Sequence, residues 1–262
     1  MGNVYCVGDV HGDFDRLVVL LEEQSIIKED NGGYRWNADD STLVFIGDLT
    51  DRGRRGLDVI RLVIRLQEEA IHVGGLIESL MGNHDALFLA TALEEQGEFA
   101  DDDCKLYFRM NGGKMYEATA ASQDPELIAW LRKRPFMLLV GNTLFQHADG
   151  FRFYRRLGAA LGLDEVNRQG AKLADSARGA YLVFSEMTGD RDWNGCPDLL
   201  PEYLALFGAS RVVHGHSRHE GNGPLITCGG TAINIDNSMC WAYRQDASRG
   251  IVLDLSSLPD PS

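Results

Sequence analysis

No run in this chain approaches the roughly 18 consecutive apolar residues that cross a bilayer, so no spanning helix is expected. Cysteine is sparse. The five residues Cys6, Cys104, Cys196, Cys228 and Cys240 are odd in number, widely spaced and form no C-x-x-C pair. A disulfide scaffold is thereby excluded, and mostly buried thiols in a reduced, cytoplasmic setting are expected. Positive charge is also short, with 25 Lys and Arg against 39 Asp and Glu and a formal net charge of −14. Such a surface repels phosphates and anionic headgroups, so neither nucleic acid nor a membrane surface is an expected partner. The first eight residues lack a basic segment and run directly into candidate chemistry at Asp9, so no cleaved leader is expected. Gly2 does not complete a myristoylation signal, because Cys6 stands where Ser or Thr is wanted. Internal repeats and long linkers are missing too.

What remains is 262 residues with 44% apolar and 24% charged side chains, the make-up of a globular chain with one large core. A single domain over 1–258 is expected, with a frayed tail at 259–262. Residues 3–8 read as a short buried strand. Asp13 can cap a following helix whose apolar positions Phe14, Leu17, Val18, Leu20 and Leu21 recur at helical spacing. The same β-loop-α unit returns as strand 42–46, loop 47–55 and helix 57–67, and again as strand 76–81, loop 82–85 and a helix from 86 to about 93. Strands alternating with helices imply a parallel sheet, whose ligand sites lie beyond the strands' C-terminal ends. A helical insertion spans about 94–135, broken at Gly112-Gly113 and near Pro125 and Pro135. Gly141-Asn142 marks a hairpin within 136–147, and helices at about 151–161 and 164–178 follow. From 211 onward, strands at 211–214, 224–227, 231–236, 239–244 and 250–255 are spaced closely enough to predict a largely antiparallel second sheet.

The three loops carry the chemistry. Gly8-Asp9-Val10-His11-Gly12 places Asp9 and His11 two apart, on the same side of an extended strand end, where both can grip one cation. Alone this is equally a turn with a helix-capping Asp. In Gly47-Asp48-Leu49-Thr50-Asp51-Arg52-Gly53, Asp48 has two oxygens and could bridge two ions, while Arg52 offers a planar fork to phosphate. A charged turn would read the same way. Gly82-Asn83-His84-Asp85 supplies a neutral carbonyl ligand in Asn83 and a proton donor in His84, if a carboxylate such as Asp51 orients it; an ordinary helix start would look alike. His147 in Phe145-Gln146-His147-Ala148-Asp149 and His216 in His214-Gly215-His216-Ser217 complete the set.

In this order, G-D-x-H-G, G-D-x-x-D-R-G, G-N-H-D, H-A and G-H resemble the calcineurin-like metallophosphoesterases, from residue 8 to about 217. More narrowly the chain is similar to the phosphoprotein phosphatases, especially small bacterial and phage members. Asn111-Gly112-Gly113-Lys114 and Arg191-Asp192-Trp193 also resemble segments of those members. The resemblance implies an α/β/β/α four-layer sandwich with two stacked mixed sheets. It implies that Asp9, His11 and Asp48 hold one divalent ion, and that Asp48, Asn83, His147 and His216 hold a second. This mixed nitrogen and oxygen set suits manganese first, or iron or zinc, better than calcium. Two such ions about 3.5 to 4 Å apart would activate a shared water for in-line attack on phosphorus. Arg52, then Arg191, would clamp phosphoryl oxygens, and His84, oriented by Asp51, would protonate the leaving group.

The expected enzyme is therefore a metal-dependent phosphomonoesterase acting on phosphoproteins at Ser, Thr or Tyr, or on a small phosphate ester. The alternative is a symmetrical dinucleoside tetraphosphatase. That family resembles A-R-G-P in the second motif, against Asp51-Arg52-Gly53 here, yet the run from Gly82 to Ala90 looks much like its third motif. Three departures stand out. Asp85 replaces the Glu of many eukaryotic members and is assigned no catalytic role. Asp149 replaces a Gly. Arg218 occupies the place of the second histidine in the G-H-x-H of nucleases. His72, His214 and His219 are expected to be structural or superficial, and the run Asp101-Asp102-Asp103 to face water.

Overall fold

A computed structural model of the chain describes residues 2–150, 152–187, 191, 196–242 and 249–258. In chain order, β1 (Val4–Val7) leads into α1 (Phe14–Glu23), and a hairpin of β2 (Ile27–Asp30) and β3 (Gly33–Trp36) leads to β4 (Thr42–Phe45). α2 (Gly56–Ile71), β5 (Leu76–Ser79) and α3 (Asn83–Glu95) follow. Three short helices come next, α4 (Cys104–Met110), α5 (Met115–Ser122) and α6 (Pro125–Arg132), then the hairpin β6 (Met137–Val140) and β7 (Thr143–Gln146). α7 (Arg152–Ala174), bent at Gly162, α8 (Ala177–Leu182) and α9 (Leu200–Leu206) precede β8 (Arg211–His214). β9 (Leu225–Thr227), β10 (Ala232–Asn234) and β11 (Val252–Asp254) close the chain. Among the described residues no helix is long and apolar enough to cross a membrane.

Two mixed sheets form. The first has the order β11-β1-β4-β5, with β1, β4 and β5 parallel and β11 antiparallel to β1. The second has the order β6-β7-β8-β10-β9. Here the expectation of a largely antiparallel second sheet is corrected. β7, β8 and β10 are parallel to one another, and only the outer strands β6 and β9 run against them. The expected strand 250–255 joins the first sheet instead, where it covers the edge of β1. Residues 239–242 turn rather than extend, and 243–244 lie outside the described residues, as does the tail 259–262. Short spacing had suggested hairpins, but long-range pairing with β1 and β8 decided the direction.

The apolar pattern explains the layering. Cys6, Val44, Ile46, Leu80, Phe145, Val213, Ile233, Ile235 and Leu253, drawn from both sheets, make one buried cluster between them. The other faces are covered by helices. Leu17, Val18, Leu20 and Leu21 form the inner stripe of α1, and Asp13 caps that helix by accepting from the Arg16 N–H at 3.2 Å. α3 is buried nearly all round because α4, α5, α6 and α8 wrap it. The insertion thus contributes three short helices, α4, α5 and α6, packed around the central α3, with α8 added from later in the chain. The thiol expectation is also corrected. Cys6, Cys104 and Cys240 are buried, but Cys196 and Cys228 form a disulfide across a separation of 32 residues.

Phe145 sits fully buried between the sheets. Phe145→Ala should cost about 3–5 kcal/mol by leaving a cavity there. Urea unfolding measures this, and a loss below about 1 kcal/mol, the size of an ordinary substitution, would mean the sheets do not pack through this ring.

Candidate metal centre

The site is built where the C-terminal ends of β1, β4, β5, β7 and β8 come together. Backbone hydrogen bonds zip the first two loops: the N–H groups of Val10 and His11 both donate to the Asp48 carbonyl, at 3.1 and 2.8 Å, and the Gly53 N–H donates to the His11 carbonyl at 2.9 Å. The third loop is the first turn of α3, one turn earlier than the spacing predicted. Its Asp85 carboxylate accepts from the N–H groups of Asp48 at 2.7 Å, Leu49 at 2.9 Å and Gly82 at 3.1 Å. Arg134, also buried, completes that carboxylate's partners at 2.8 Å. On the far side the Gly215 N–H donates to the His147 carbonyl at 2.8 Å, and the His216 N–H faces both Asp9 oxygens at 3.2 Å. Glycine is needed where loops touch. A Cβ on Gly82 would lie 2.2 Å from Asp48 Oδ1, and one on Gly215 would lie 2.1 Å from Asp9 Oδ1.

Asp9, His11, Asp48, Asn83, His147 and His216 are all buried and converge. The two oxygens of Asp48 face opposite ways: Oδ1 lies 3.3 Å from His147 Nε2, and Oδ2 lies 3.6 Å from His11 Nε2. Asn83 Oδ1 is 3.0 Å from both His147 Nε2 and His216 Nδ1. Asp9 stands farther off, with Oδ2 4.0 Å from His11 Nε2. Mutual distance therefore groups His11 and Asp48 with His84, and Asp48 with His147 and His216. His11 Nδ1 lies 3.2 Å from the Thr50 carbonyl and His147 Nδ1 lies 3.1 Å from the Ile46 carbonyl. Donation there would leave each Nε2 lone pair aimed inward, the arrangement of a metal-bound imidazole.

The electrostatics fit divalent cations. Burial first, then the nearby Asp236, holds the Asp9 carboxyl well above its usual range, and burial with the neighbouring Asp48 does the same to Asp51. Burial disfavours charge on His147, but the Asp48 carboxylate outweighs it and raises the imidazole to about 9. A cation would displace that proton and relieve the crowded carboxylates together.

His84 is placed beside this cluster. Its Nδ1 is 3.0 Å from Asp51 Oδ2, and Arg52 Nη2 approaches its Nε2 at 2.7 Å. Burial holds this imidazole well below its ordinary value. Arg52 thus meets the histidine as well as the cavity, and its own N–H donates to the Gly112 carbonyl of the insertion at 3.1 Å. Arg191 is exposed at the rim, and its Nη2 donates to the His216 carbonyl at 3.3 Å; Asp192 and Trp193 lie outside the described residues. His72 is exposed, His214 is buried, and Asp149 accepts from Ser217 Oγ at 2.7 Å. Asp101, Asp102 and Asp103 are exposed.

Two cavities meet over the cluster, sharing His11, Arg52, Arg191 and His216. One of about 500 Å³ includes His84 and is walled by Tyr107, Tyr181 and Phe184, whose rings follow one another at 6.4 and 5.9 Å. The other, of about 600 Å³, extends over β8 and β10 and includes Arg218, Asp149 and Asp236. Asp236 escaped the sequence reading. The signal was topological, since it follows β10, which runs parallel to β8 and ends on the same side as His216.

A model described as calcineurin-like phosphoesterase matches residues 2–219. The chain is 28% identical to Shewanella-like protein phosphatase 1 of Plasmodium berghei over 63% of this chain and 43% of that one. It is 26% identical to a symmetrical bis(5'-nucleosyl)-tetraphosphatase of Neisseria meningitidis over 71% of this chain and 56% of that one. With the asymmetrical bis(5'-nucleosyl)-tetraphosphatase PrpE of Bacillus velezensis it shares 35% identity over 80% of this chain and 76% of that one. The chain spans about half the length of the first two relatives. In fold it is similar to a cold-active protein-tyrosine phosphatase of a psychrophilic Shewanella, with a TM-score of 0.70 and 23% identity over 91% of this chain and 72% of that one.

Gly82→Ala should push the Asp48 carboxylate aside and weaken the affinity for a divalent-cation probe at least about tenfold, the scale of a disturbed ligand shell, while far-UV circular dichroism stays unchanged. Calorimetric titration with Mn²⁺ checks this, and wild-type affinity would contradict it. Asp85→Ala strands the buried Arg134 charge and three N–H groups. It should therefore cost about 3–5 kcal/mol of stability in denaturant unfolding.

Proposed function

The chain belongs to the calcineurin-like phosphoesterase family, and from that premise we propose that it is a dinuclear-metal phosphomonoesterase acting on phosphoproteins. One observation carries the reading: the two oxygens of buried Asp48 face two separate histidine sets. In this proposal Asp9, His11 and Asp48 hold one divalent ion, and Asp48, Asn83, His147 and His216 hold the other, with manganese the first choice. Such ions supply Lewis acidity and lower the pKa of water at the site. Arg52 and Arg191 bind the phosphoryl oxygens and steady the charge that shifts during transfer. When Arg52 turns to the phosphoryl group, His84 Nε2 is freed to carry a proton to the leaving oxygen. Asp51 keeps the ring oriented through Nδ1. A cytoplasmic location belongs to the same proposal. The buried thiols Cys6 and Cys104 support it, and the disulfide Cys196–Cys228 weighs against it.

A second reading, a symmetrical bis(5'-nucleosyl)-tetraphosphatase, draws on the run from Gly82 to Ala90 and on the name of one relative. The second loop favours the first reading, because Asp51 has the task of orienting His84 and the loop keeps Asp51-Arg52-Gly53. Phosphate release from phosphopeptides compared with ADP release from diadenosine tetraphosphate separates the two.

With manganese and an aryl phosphate, His84→Asn should lower kcat by about 100-fold or more, the usual worth of a general acid, with the fold intact. Asp48→Asn should abolish turnover and Mn²⁺ binding together. Undiminished kcat in either variant removes that residue from the mechanism.

A further inference from the structure

Arg218 is the one departure from the G-H-x-H pattern that changes the charge of the groove, and the mechanism above leaves it idle. It lines the cavity of about 600 Å³ that opens from the metal centre across β8 and β10, away from His84. His84 lines only the other, aromatic-walled cavity. Since His84 is the proton donor, the leaving oxygen lies on the aromatic side. Only that oxygen is fixed there, and the rest of a peptide or polyphosphate substrate is long enough to reach over the metal centre into the Arg218 side.

The charges in this wing are sorted by depth. Asp149 and Asp236 are buried at its floor, where Ser217 Oγ donates to Asp149 at 2.7 Å and the Ser238 N–H donates to Asp236 at 3.1 Å. Arg191 and Arg218 are exposed at its rim. Leu225 and Thr227 of the edge strand β9 form the outer wall. Arg218 offsets part of the buried Asp236 charge, and with Arg191 it presents the cationic groups that an anion entering this wing meets first.

We infer that Arg218, beside the phosphoryl-binding Arg191, forms a subsite for a second anionic group of the substrate. That group is an acidic side chain beside a phosphoresidue, or a further phosphate of a polyphosphate. The subsite rests on the phosphoesterase reading of the same centre and selects among its substrates. Arg218 is a specificity residue: it has no part in breaking the ester bond, and it acts through KM.

The test uses the full chain with Mn²⁺ and compares wild type, Arg218→Glu and Arg218→Lys. The substrates are p-nitrophenyl phosphate, a pair of phosphoserine peptides differing by Glu or Lys beside the phosphoresidue, and diadenosine tetraphosphate. Arg218→Glu should lower kcat/KM about tenfold, mainly by raising KM, for the substrate whose second anion the subsite takes, in line with the loss of a charge-assisted hydrogen bond. A fall confined to the Glu peptide, with a gain for the Lys peptide, identifies an acidic side chain. A fall for diadenosine tetraphosphate identifies a phosphate. Arg218→Lys should lie between, and p-nitrophenyl phosphate, which has no second anion, should change less than about twofold on that scale. Equal losses on all substrates, or no change on any, overturn the inference. If the wild type turns over none of them, the phosphoesterase reading fails by itself. Calorimetric binding of non-hydrolysable phosphonate peptides and methylene-bridged diadenosine tetraphosphate then still decides Arg218, with equal affinities in wild type and Arg218→Glu counting against it.

Discussion

The Asp85 carboxylate, buried at the first turn of α3, is what the centre depends on. It takes three backbone N–H groups from two loops and the guanidinium of Arg134, so that the end of β4 cannot move independently of the start of α3. Arg134 in turn donates to the Ser79 and Leu80 carbonyls at the end of β5 and lies over the Trp130 ring. A buried pair of this kind contributes little net stability compared with an apolar replacement, but removing one partner is costly. Its effect here is positional. With the third loop fixed, the His84 N–H reaches Asp48 Oδ1 at 2.9 Å and Asn83 is carried to His147 and His216.

Holding ligands this close requires backbone that most residues avoid. Of ten described non-glycine residues with positive φ, five are His11, Asp48, Asp51, Arg52 and His216, with φ between 47° and 70°. Such conformations persist only where the surroundings over-determine them, and they concentrate at functional sites. The loop-to-loop hydrogen bonds supply that constraint. Rigidity at the ligands and strain in the turns are therefore one property seen from two sides.

Around this rigid floor the groove has two chemically different arms. The arm holding His84 is walled by Tyr107 from the insertion and by Tyr181 and Phe184 from the segment that begins with α8, and the other is rimmed by arginines. The insertion also supports Arg52 from outside through the Gly112 carbonyl, which joins the part of the chain least readable from sequence to a phosphate-binding candidate. Fold and candidate-site geometry come from the two sheets, whereas the walls of the groove come from helices and rim residues added around them.

The three β-loop-α units were legible because apolar periodicity and loop glycines are local signals, and the candidate ligands were legible because Asp9, Asp48, Asn83 and His216 each follow a strand with Gly directly before them, His11 stands two residues after Asp9, and His147 stands at a strand end. The direction of the outer strands, the Cys196–Cys228 pairing and the presence of Asp236 in the groove were not legible, since each depends on partners far away in the chain. Asp85 was the plainest case. Read in sequence it was a shortened acid without a role, and in three dimensions it is the acceptor that joins two loops. By itself the sequence determined which side chains are candidates to bind metal and phosphate and on which strand ends they stand. The tertiary structure alone decided which of them face the same point and which hold the others there, because distances across separate strands are fixed by packing and long-range hydrogen bonds rather than by spacing along the chain.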